Sequence, residues 1–510
     1  MKQLGPTLAA AICCAACSPS APSKPSAGDA ARFLEQASFG PTPESVARVQ
    51  SVGFNAWLNE QFAAPASGYD DPQAAEMDLS GVQKRFFANA IGGPDQLRQR
   101  VAFALSQIMV VSGVKNDDPR LFVPWLRMLS KDAFGTYRAL LEDVTLSPAM
   151  GEYLDMVNND KPDPAAGTSP NENYGREIMQ LFSIGLRELN ADGTAVLSAA
   201  KLPVPTYGQD VVEGFSHVFT GWTYPAAPAL QSGFPNDARY DRPMELFADH
   251  HDSGSKLLLG GVRLPAGQSA QKDLADALDN LAQHHNVGPF LGLRLIQRLV
   301  KSNPSADYLK RVAAAFADNG AHQRGDLKAV IRAILLDPEA RKPAPGQADG
   351  KLREPVLLIA GALRALNAGS DGAGLADYAE AMRQKLFYPQ TVFNYYPPDY
   401  RVPGTTLLGP EFKLRTAPTI VAEENFVNDM VNDSLPAGTK VDFAALQPAA
   451  GDAGKIADLL EARLLRGAMP AAMRAALATA LARIDDQPPG ARLRAGVYLV
   501  ALSSSFQVQP

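Results

Sequence analysis

Polar side chains recur between Ser169 and Phe182 at a spacing that places them on one face of a helix. This face consists of Asn173, Arg176, Glu177 and Gln180. A guanidinium and a carboxylate in one stripe either line a polar site or pair with other groups to hold the fold. Ser169 and Glu172 have the spacing of a capping box, so we expect the helix to begin at that serine. Arg176 and Glu177 are the first candidate catalytic residues.

A second amphipathic helix is predicted around Asp210–Phe219, with Asp210, Glu213 and His217 on its polar face. Two carboxylates and an imidazole are ligands for zinc or another divalent metal. They serve equally well as a general acid–base set in which a carboxylate orients the histidine. A third alternative is a solvated helix face with ordinary i, i+4 pairing. Glu213 and His217 are therefore candidate catalytic residues, and all three are candidate metal ligands.

The third group is the segment from His250 to Lys256, which carries imidazole, carboxylate, hydroxyl and ammonium groups within seven residues. His251, Asp252 and Lys256 are its candidate catalytic residues, and a solvated turn is the alternative. Adjacent histidines rarely bind one ion together, so we expect at most one of the two to point inward. The remaining pair, His284 and His285, is expected to close a helix, where a partly positive ring suits the helix dipole.

Familiar catalytic signatures are absent from the sequence. It contains no GxSxG elbow, HExxH pair, P-loop or GxGxxG motif. No motif in the sequence therefore supports a serine hydrolase of the elbow type, a zinc protease or a nucleotide-binding protein.

The elements that must position these groups are mainly helices, since helical periodicity runs through almost the whole chain from Ala30 onward. Two long irregular regions interrupt it, Thr223–Leu264 and Leu386–Phe412. The first ends in a predicted hairpin with Gly260 and Gly261 at its turn. We therefore predict a mainly α fold: a large irregular helical domain with long loops and one small β-hairpin.

The N-terminus has the layout of an export signal. All three cysteines of the 510-residue chain lie in its first 17 residues, after an apolar stretch, and Cys17 occupies the lipidated position of a bacterial lipobox. Residues 1–17 are thus predicted to be a lipoprotein signal and 18–29 a flexible tether. An ordinary cleaved signal is the alternative. The expected location is the periplasm or cell surface, with lipid anchoring to the outer membrane.

Charge and domain size narrow the remaining possibilities. The net charge of −6 gives no electrostatic basis for binding nucleic acid. Residues 30–431 are predicted to form the helical core. A C-terminal helical segment at 453–510, with helices Ile456–Leu465 and Leu493–Leu502, is expected to belong to the same domain.

Several sequence blocks, in order along nearly the whole body, resemble the bacterial domain-of-unknown-function family 1800. The blocks are Ala31–Thr42, Leu97–Ser106, Asn171–Phe182, Val218–Trp222, His251-Asp252 with Gly254 and Lys256, Arg353–Pro355, Val392–Tyr395 and Gly409–Phe412. The resemblance implies an exported, mainly helical protein. It also implies a genomic neighbour similar to the sulfatase and alkaline-phosphatase superfamily. It implies no reaction.

Two functions remain open from the sequence. The first is an extracytoplasmic hydrolase or lyase acting on a polymer or glycan, whose site gathers the three polar groups and, in one version, a divalent metal. The second is a non-catalytic adaptor or assembly partner of a sulfatase- or phosphatase-like protein, in which the same residues form a buried network. The adaptor would show a broad exposed aromatic surface and no concave polar pocket.

Overall fold

The protein is described by a computed structural model over residues 24–73, 78–226, 234–342, 349–446 and 452–510. In these ranges it forms 22 α-helices and four two-stranded antiparallel sheets, so the predicted mainly α fold is confirmed. None of the helices in these ranges combines the length and the apolar composition that crossing a bilayer requires. Cys17 and the predicted signal lie outside the described residues.

The helices follow one another along the chain, most of them with short connections. They are α1 (Ala27–Ala37), α2 (Pro43–Val52), α3 (Phe54–Ala63), α4 (Ser80–Gly92), α5 (Gln96–Ser106), α6 (Pro119–Asp132), α7 (Tyr137–Thr145), α8 (Pro148–Tyr153), α9 (Asn173–Glu177), α10 (Gln209–Val218), α11 (Ala270–Gln283), α12 (Val287–Leu299), α13 (Ala306–Ala317), α14 (Leu327–Leu336), α15 (Pro338–Arg341), α16 (Pro355–Ala365), α17 (Leu375–Ala381), α18 (Ala417–Val431), α19 (Ala453–Leu464), α20 (Ala471–Ala482), α21 (Ala491–Ala501) and α22 (Ser504–Gln507). Longer stretches separate α8 from α9, α9 from α10, α10 from α11 and α17 from α18.

Each sheet is a pair of two-residue strands. The pairs are β1 (Trp222–Thr223) with β2 (Glu245–Leu246), β3 (Lys256–Leu257) with β4 (Arg263–Leu264), β5 (Lys351–Leu352) with β8 (Val508–Gln509), and β6 (Gly369–Ser370) with β7 (Thr439–Lys440). The pair β3–β4 is the predicted hairpin. Gly260 and Gly261 have φ of 68° and 76° at its turn, a conformation that glycine adopts without strain.

The stretch from Ser169 to Phe182 differs from its prediction. Helix α9 begins only at Asn173 and continues as a π-helix over Ile178–Ser183. The predicted capping box does not form. Instead the side chain of Asn171 accepts the backbone N–H of Asn173 at 2.8 Å and so sets the turn that starts the helix. The Glu172 carboxylate, the predicted cap, pairs with the Arg176 guanidinium at 2.8 Å.

The C-terminal segment packs directly on the core. Strand β8 pairs with β5, and Arg466 contacts the buried carboxylate of Glu35 at 3.0 Å. Helix α20, rich in alanine, lies between the two predicted C-terminal helices and was not predicted. The predicted tether is also too long at its end, because Ser26 and Asp29 form a capping box that starts α1 at Ala27.

Helix α10 approaches the β3 strand at Gly214. A Cβ built on this glycine would overlap the carbonyl oxygen of Leu257, which is backbone and cannot turn aside. The chain therefore needs a residue without a side chain where α10 crosses the hairpin.

We expect Gly214→Ala to destabilise the protein by about 1–3 kcal/mol, the usual cost of overpacking a core. The measurement is the midpoint of chemical denaturation. Gly92→Ala is the matched control, because its added Cβ has no heavy atom within 4 Å. Equal midpoints for the two variants would show that α10 is not tightly packed on the hairpin.

Candidate functional site

The structure brings His217 of α10 and Asp252 of the following loop together. The His217 Nδ1 lies 2.5 Å from the Asp252 Oδ2, and the histidine side chain is 30 % exposed. Burial raises the pKa of Asp252, but a hydrogen bond from the Gly254 N–H and the interaction with His217 lower it further, so the net shift is downward. This pair has the geometry of a carboxylate that orients a histidine.

The other two candidates of this loop, His251 and Lys256, are buried around a carboxylate that was not predicted to belong to the site. Asp273 of α11 is fully buried, and its Oδ2 lies 3.0 Å from the His251 Nε2 and 2.7 Å from the Lys256 Nζ. The lysine also donates to the backbone carbonyl of Asp252 at 2.6 Å. Because every charge in this group has a buried partner, it fixes the loop to α11.

The predicted metal ligands do not gather into one group. Asp210 and Glu213 are exposed, and His217 is paired with Asp252 instead. In the described ranges, the His, Cys, Asp and Glu ligand atoms that lie within 4.8 Å of one another come from a different place, Glu188 with the adjacent pair His284 and His285.

Glu188 lies at ion-pair distance from both histidines, and its Oε2 is 2.8 Å from the His285 Nε2. The His284 Nδ1 accepts the backbone N–H of Asn286 at 3.2 Å, which leaves its proton on Nε2, the atom that faces Glu188 at 3.7 Å. The two imidazole rings are stacked with centroids 4.6 Å apart. Burial, together with the neighbouring cations, lowers the pKa of His284 to about 4, so the ring is neutral at pH 7. The pair closes α11, as expected.

Arg176 and Glu177 point to different surroundings. Arg176 is half-buried and joins Glu172 and Gln209, the latter at 3.3 Å, in a polar cluster between α9 and α10. Among the described residues no hydrogen bond or ion pair joins it to the His217 or His251 groups. The three predicted clusters therefore occupy neighbouring elements without forming one site.

Glu177 lies at the junction between α9 and the π-helix. Its Oε2 is buried, and no hydrogen-bond partner for this atom exists among the described residues. Burial raises the pKa of this carboxyl, against an opposing effect of Arg176. Burial and the charge of Glu177 also raise the pKa of Tyr153 to about 12, which places that phenol close by. A carboxyl in this environment holds its proton more tightly than a free glutamic acid does.

A pocket of about 410 Å³ lies beside the π-helix. Its volume falls within the range of small-molecule sites. Gln180 and Leu181 of the π-helix form one side, so the predicted polar stripe reaches the pocket through Gln180. Helix α12 and the aromatic loop near Phe393 form the other sides. A π-helical turn is frequent at functional sites because it re-aims side chains.

Arg298 of α12 lies at the inner end of this pocket. It is only 6 % exposed, and its guanidinium stacks over the Tyr396 ring at 4.8 Å. Among the described residues none accepts a hydrogen bond from its guanidinium or forms an ion pair with it. A buried cation without an acceptor is costly, so it marks a place where a ligand supplies one.

Arg294 stands one turn away on the same helix face and also lines the pocket. Its guanidinium donates to the Gln297 side chain at 3.1 Å and lies 5.2 Å from the Phe290 ring centroid. Burial, and then the charge of Arg298, lowers its pKa to about 10, so it remains charged at pH 7. Neither arginine was predicted from the sequence. The available signal was their i, i+4 spacing in an otherwise apolar helix.

A buried carboxylate supports the inner end of the pocket from below. Glu354 Oε2 accepts hydrogen bonds from Gln107 at 2.6 Å, Gln384 at 2.5 Å and Tyr396 at 2.8 Å. The backbone carbonyl of Arg298 accepts from the Lys351 ammonium at 3.0 Å. The pocket arginines are therefore held by a hydrogen-bonded core rather than by a surface loop.

Comparison with known proteins agrees with the resemblance noted above. The family model described as "Protein of unknown function (DUF1800)" matches residues 32–508, so the chain belongs to that family. No curated protein and no solved structure matches it.

Glu177→Gln is expected to raise Tm by about 1–2 °C near pH 8, a small shift for a chain of this size. The folded state holds the Glu177 proton more tightly than the unfolded state. Its carboxylate therefore costs stability as pH rises above the unfolded value of 4.5. The difference should vanish below about pH 4, where both states are protonated. Tm is measured across this pH range.

The control for this substitution is Glu213→Gln, which removes an exposed carboxylate from α10. It should leave Tm unchanged at every pH. If Glu177→Gln lowers Tm at every pH instead, the Glu177 carboxylate has a stabilising partner and is not a strained group.

Proposed function

We propose that this protein is an exported enzyme that binds an anionic molecule in the pocket beside the π-helix and cleaves it by hydrolysis or elimination. The observation that carries the proposal is Arg298, a buried guanidinium without an acceptor at the inner end of a concave pocket. An arginine fork binds a carboxylate or phosphate with two hydrogen bonds at once. A polymer would present such a group at a chain end or on a substituent.

Glu177 is the candidate acid of this reaction. It lies one turn before Leu181, which lines the pocket, and burial raises the pKa of its carboxyl. The protonated carboxyl would give its proton to the departing oxygen. In hydrolysis water supplies hydroxide to the other fragment, and the remaining proton of that water returns to the Glu177 carboxylate. In elimination the other fragment loses a neighbouring proton to the same carboxylate and forms a double bond.

The His217–Asp252 pair is the second acid–base candidate. It stays a prediction for the chemistry, because the support for a binding site lies at the pocket and not at α10. His251 and Lys256 act in this proposal through their contacts with Asp273, as positioning residues for the loop.

Adaptor function is the alternative, with a sulfatase- or phosphatase-like protein as the partner. The pocket argues against it, since an adaptor needs no buried cation facing a cavity. Among the large apolar side chains that are exposed in the described ranges, Phe393 is the sole aromatic residue, so the broad aromatic surface expected of an adaptor is missing there.

Inorganic phosphate is expected to raise the Tm of the wild-type protein and to bind Arg294→Gln at least tenfold more weakly, as for loss of one charge-assisted hydrogen bond. Arg294 is chosen because Arg298 also contributes to the core. Titration calorimetry gives the two affinities. Arg263→Gln removes an exposed arginine outside the pocket and serves as the control. Equal phosphate affinity in all three proteins would refute the proposed site.

Export and anchoring complete the proposal and rest on the N-terminal sequence. Lipid attachment at Cys17 would hold the protein at the outer membrane, facing the periplasm or the cell surface. We expect Cys17→Ser to abolish incorporation of labelled palmitate and to move the protein from the membrane to the soluble fraction. Cys13→Ser should retain both properties. A Cys17→Ser protein that still carries label would rule out this residue as the attachment site.

A further inference from the structure

We infer that the ligand of the pocket carries its anionic group on an apolar body, as an alkyl carboxylate or an alkyl phosphate does. The inference rests on the proposed binding site and narrows the class of molecule that enters it. It is carried by the arrangement of the pocket, whose lining combines Arg294 and Arg298 with a majority of apolar side chains. Arg187 and Asp399 also line the pocket, and both are exposed to solvent.

The inner end recognises the charge. Arg294 and Arg298 face the pocket there, above Lys351 and Arg100, which interact with the same core. Glu354, Glu411 and Asp399 are carboxylates that interact with these cations. With two guanidinium groups lining the cavity, this end of the pocket favours a ligand that carries an anionic group.

The walls between the inner end and the mouth are apolar. They include Leu181, Ile184, Leu189, Leu293, Pro289 and Val392. A sugar residue presents several hydroxyl groups, and each needs a hydrogen-bond partner once it leaves water. Apart from its arginines, the lining offers the polar side chains of Gln107, Gln180 and Asp399, and the first already donates to Glu354 at 2.6 Å. An aliphatic chain makes no such demand.

The mouth extends the apolar surface into solvent. Leu186 is 55 % exposed and Phe393 is 42 % exposed, and both line the pocket. Large apolar side chains are usually covered, so two of them at one pocket mouth offer a surface for a chain that leaves the pocket. The ligand would therefore enter head first, with its anionic group at Arg298 and its chain along Phe393.

The test uses the full-length protein and titration calorimetry with four probes: decanoate, decyl phosphate, decanol and a trimer of galacturonate. We expect decanoate or decyl phosphate to bind at least tenfold more tightly than decanol, and the trimer to bind more weakly than either. The two alkyl anions separate a carboxylate ligand from a phosphate ligand. Across hexanoate, octanoate and decanoate, affinity should rise about fourfold per buried methylene.

Two variants test separately the recognition of the anionic group and of the aliphatic part of the ligand. Arg294→Gln should weaken decanoate at least tenfold and leave decanol unchanged. Phe393→Ser should weaken decanoate while leaving hexanoate, which is too short to reach the mouth, unchanged. Val421→Ser is the matched control, because this apolar residue is 53 % exposed on α18, away from the pocket.

The outcomes are distinguishable. Binding of the galacturonate trimer but not of decanoate would overturn this inference and leave the anion site of the proposed function standing. Equal affinity for decanol and decanoate would overturn it as well, since the arginines would then contribute nothing. Failure of every probe and of phosphate to bind would refute both the inference and the proposed function.

Discussion

The structure around the pocket depends on one buried charge, the carboxylate of Glu354. Its three hydrogen-bond donors come from the end of α5, from the chain after α17 and from the aromatic loop. Burial alone would raise the pKa of this carboxyl. The charges of Lys351, Arg298 and Arg100 lower it further than burial raises it, so the group stays ionised inside the protein. An ionised buried group needs all these partners in place, which ties distant parts of the chain together.

This constraint explains why the pocket can hold a guanidinium whose hydrogen-bonding capacity is unfilled. Lys351 and Glu411 are both buried and lie 3.1 Å apart, so part of the positive charge is balanced within the core. Arg298 interacts with the charge of Glu354, while its guanidinium contacts the Tyr396 ring and lines the cavity. A surface arginine would relax into water, whereas this one is held by a rigid helix and by its own backbone contacts. Preorganisation of this kind reduces the cost of binding, because the protein pays for the unfavourable arrangement before the ligand arrives.

Much of the fold could be predicted from local features of the sequence, such as helical periodicity and turn glycines. Features that depend on contacts between residues far apart in the sequence could not. The 3.6-residue periodicity located α10 and α21, and the two glycines located the β3–β4 hairpin. Periodicity could not reveal the π-helix, because one extra residue in a turn leaves the apolar pattern almost unchanged. The partnership of Lys256 with Asp273 was equally invisible, since their proximity depends on how α11 packs against the loop.

The candidate site shows the same limit, because a segment predicted to be functional is structural and a segment with no predicted function lines the pocket. The loop from His251 to Lys256 carries imidazole, carboxylate and ammonium groups close together in the sequence. Its buried side chains, however, are paired with Asp273 and have no hydrogen-bonding capacity left for a ligand. The sequence of helix α12 is mostly apolar and typical of a buried helix, yet this helix supplies the guanidinium of Arg298. The residue types in a segment indicate which chemistry is available to it. Whether those residues bind a ligand depends on how many hydrogen-bond and ion-pair partners the rest of the protein already provides. A buried polar group whose bonding capacity is filled stabilises the fold, and one whose capacity is unfilled beside a cavity indicates a ligand.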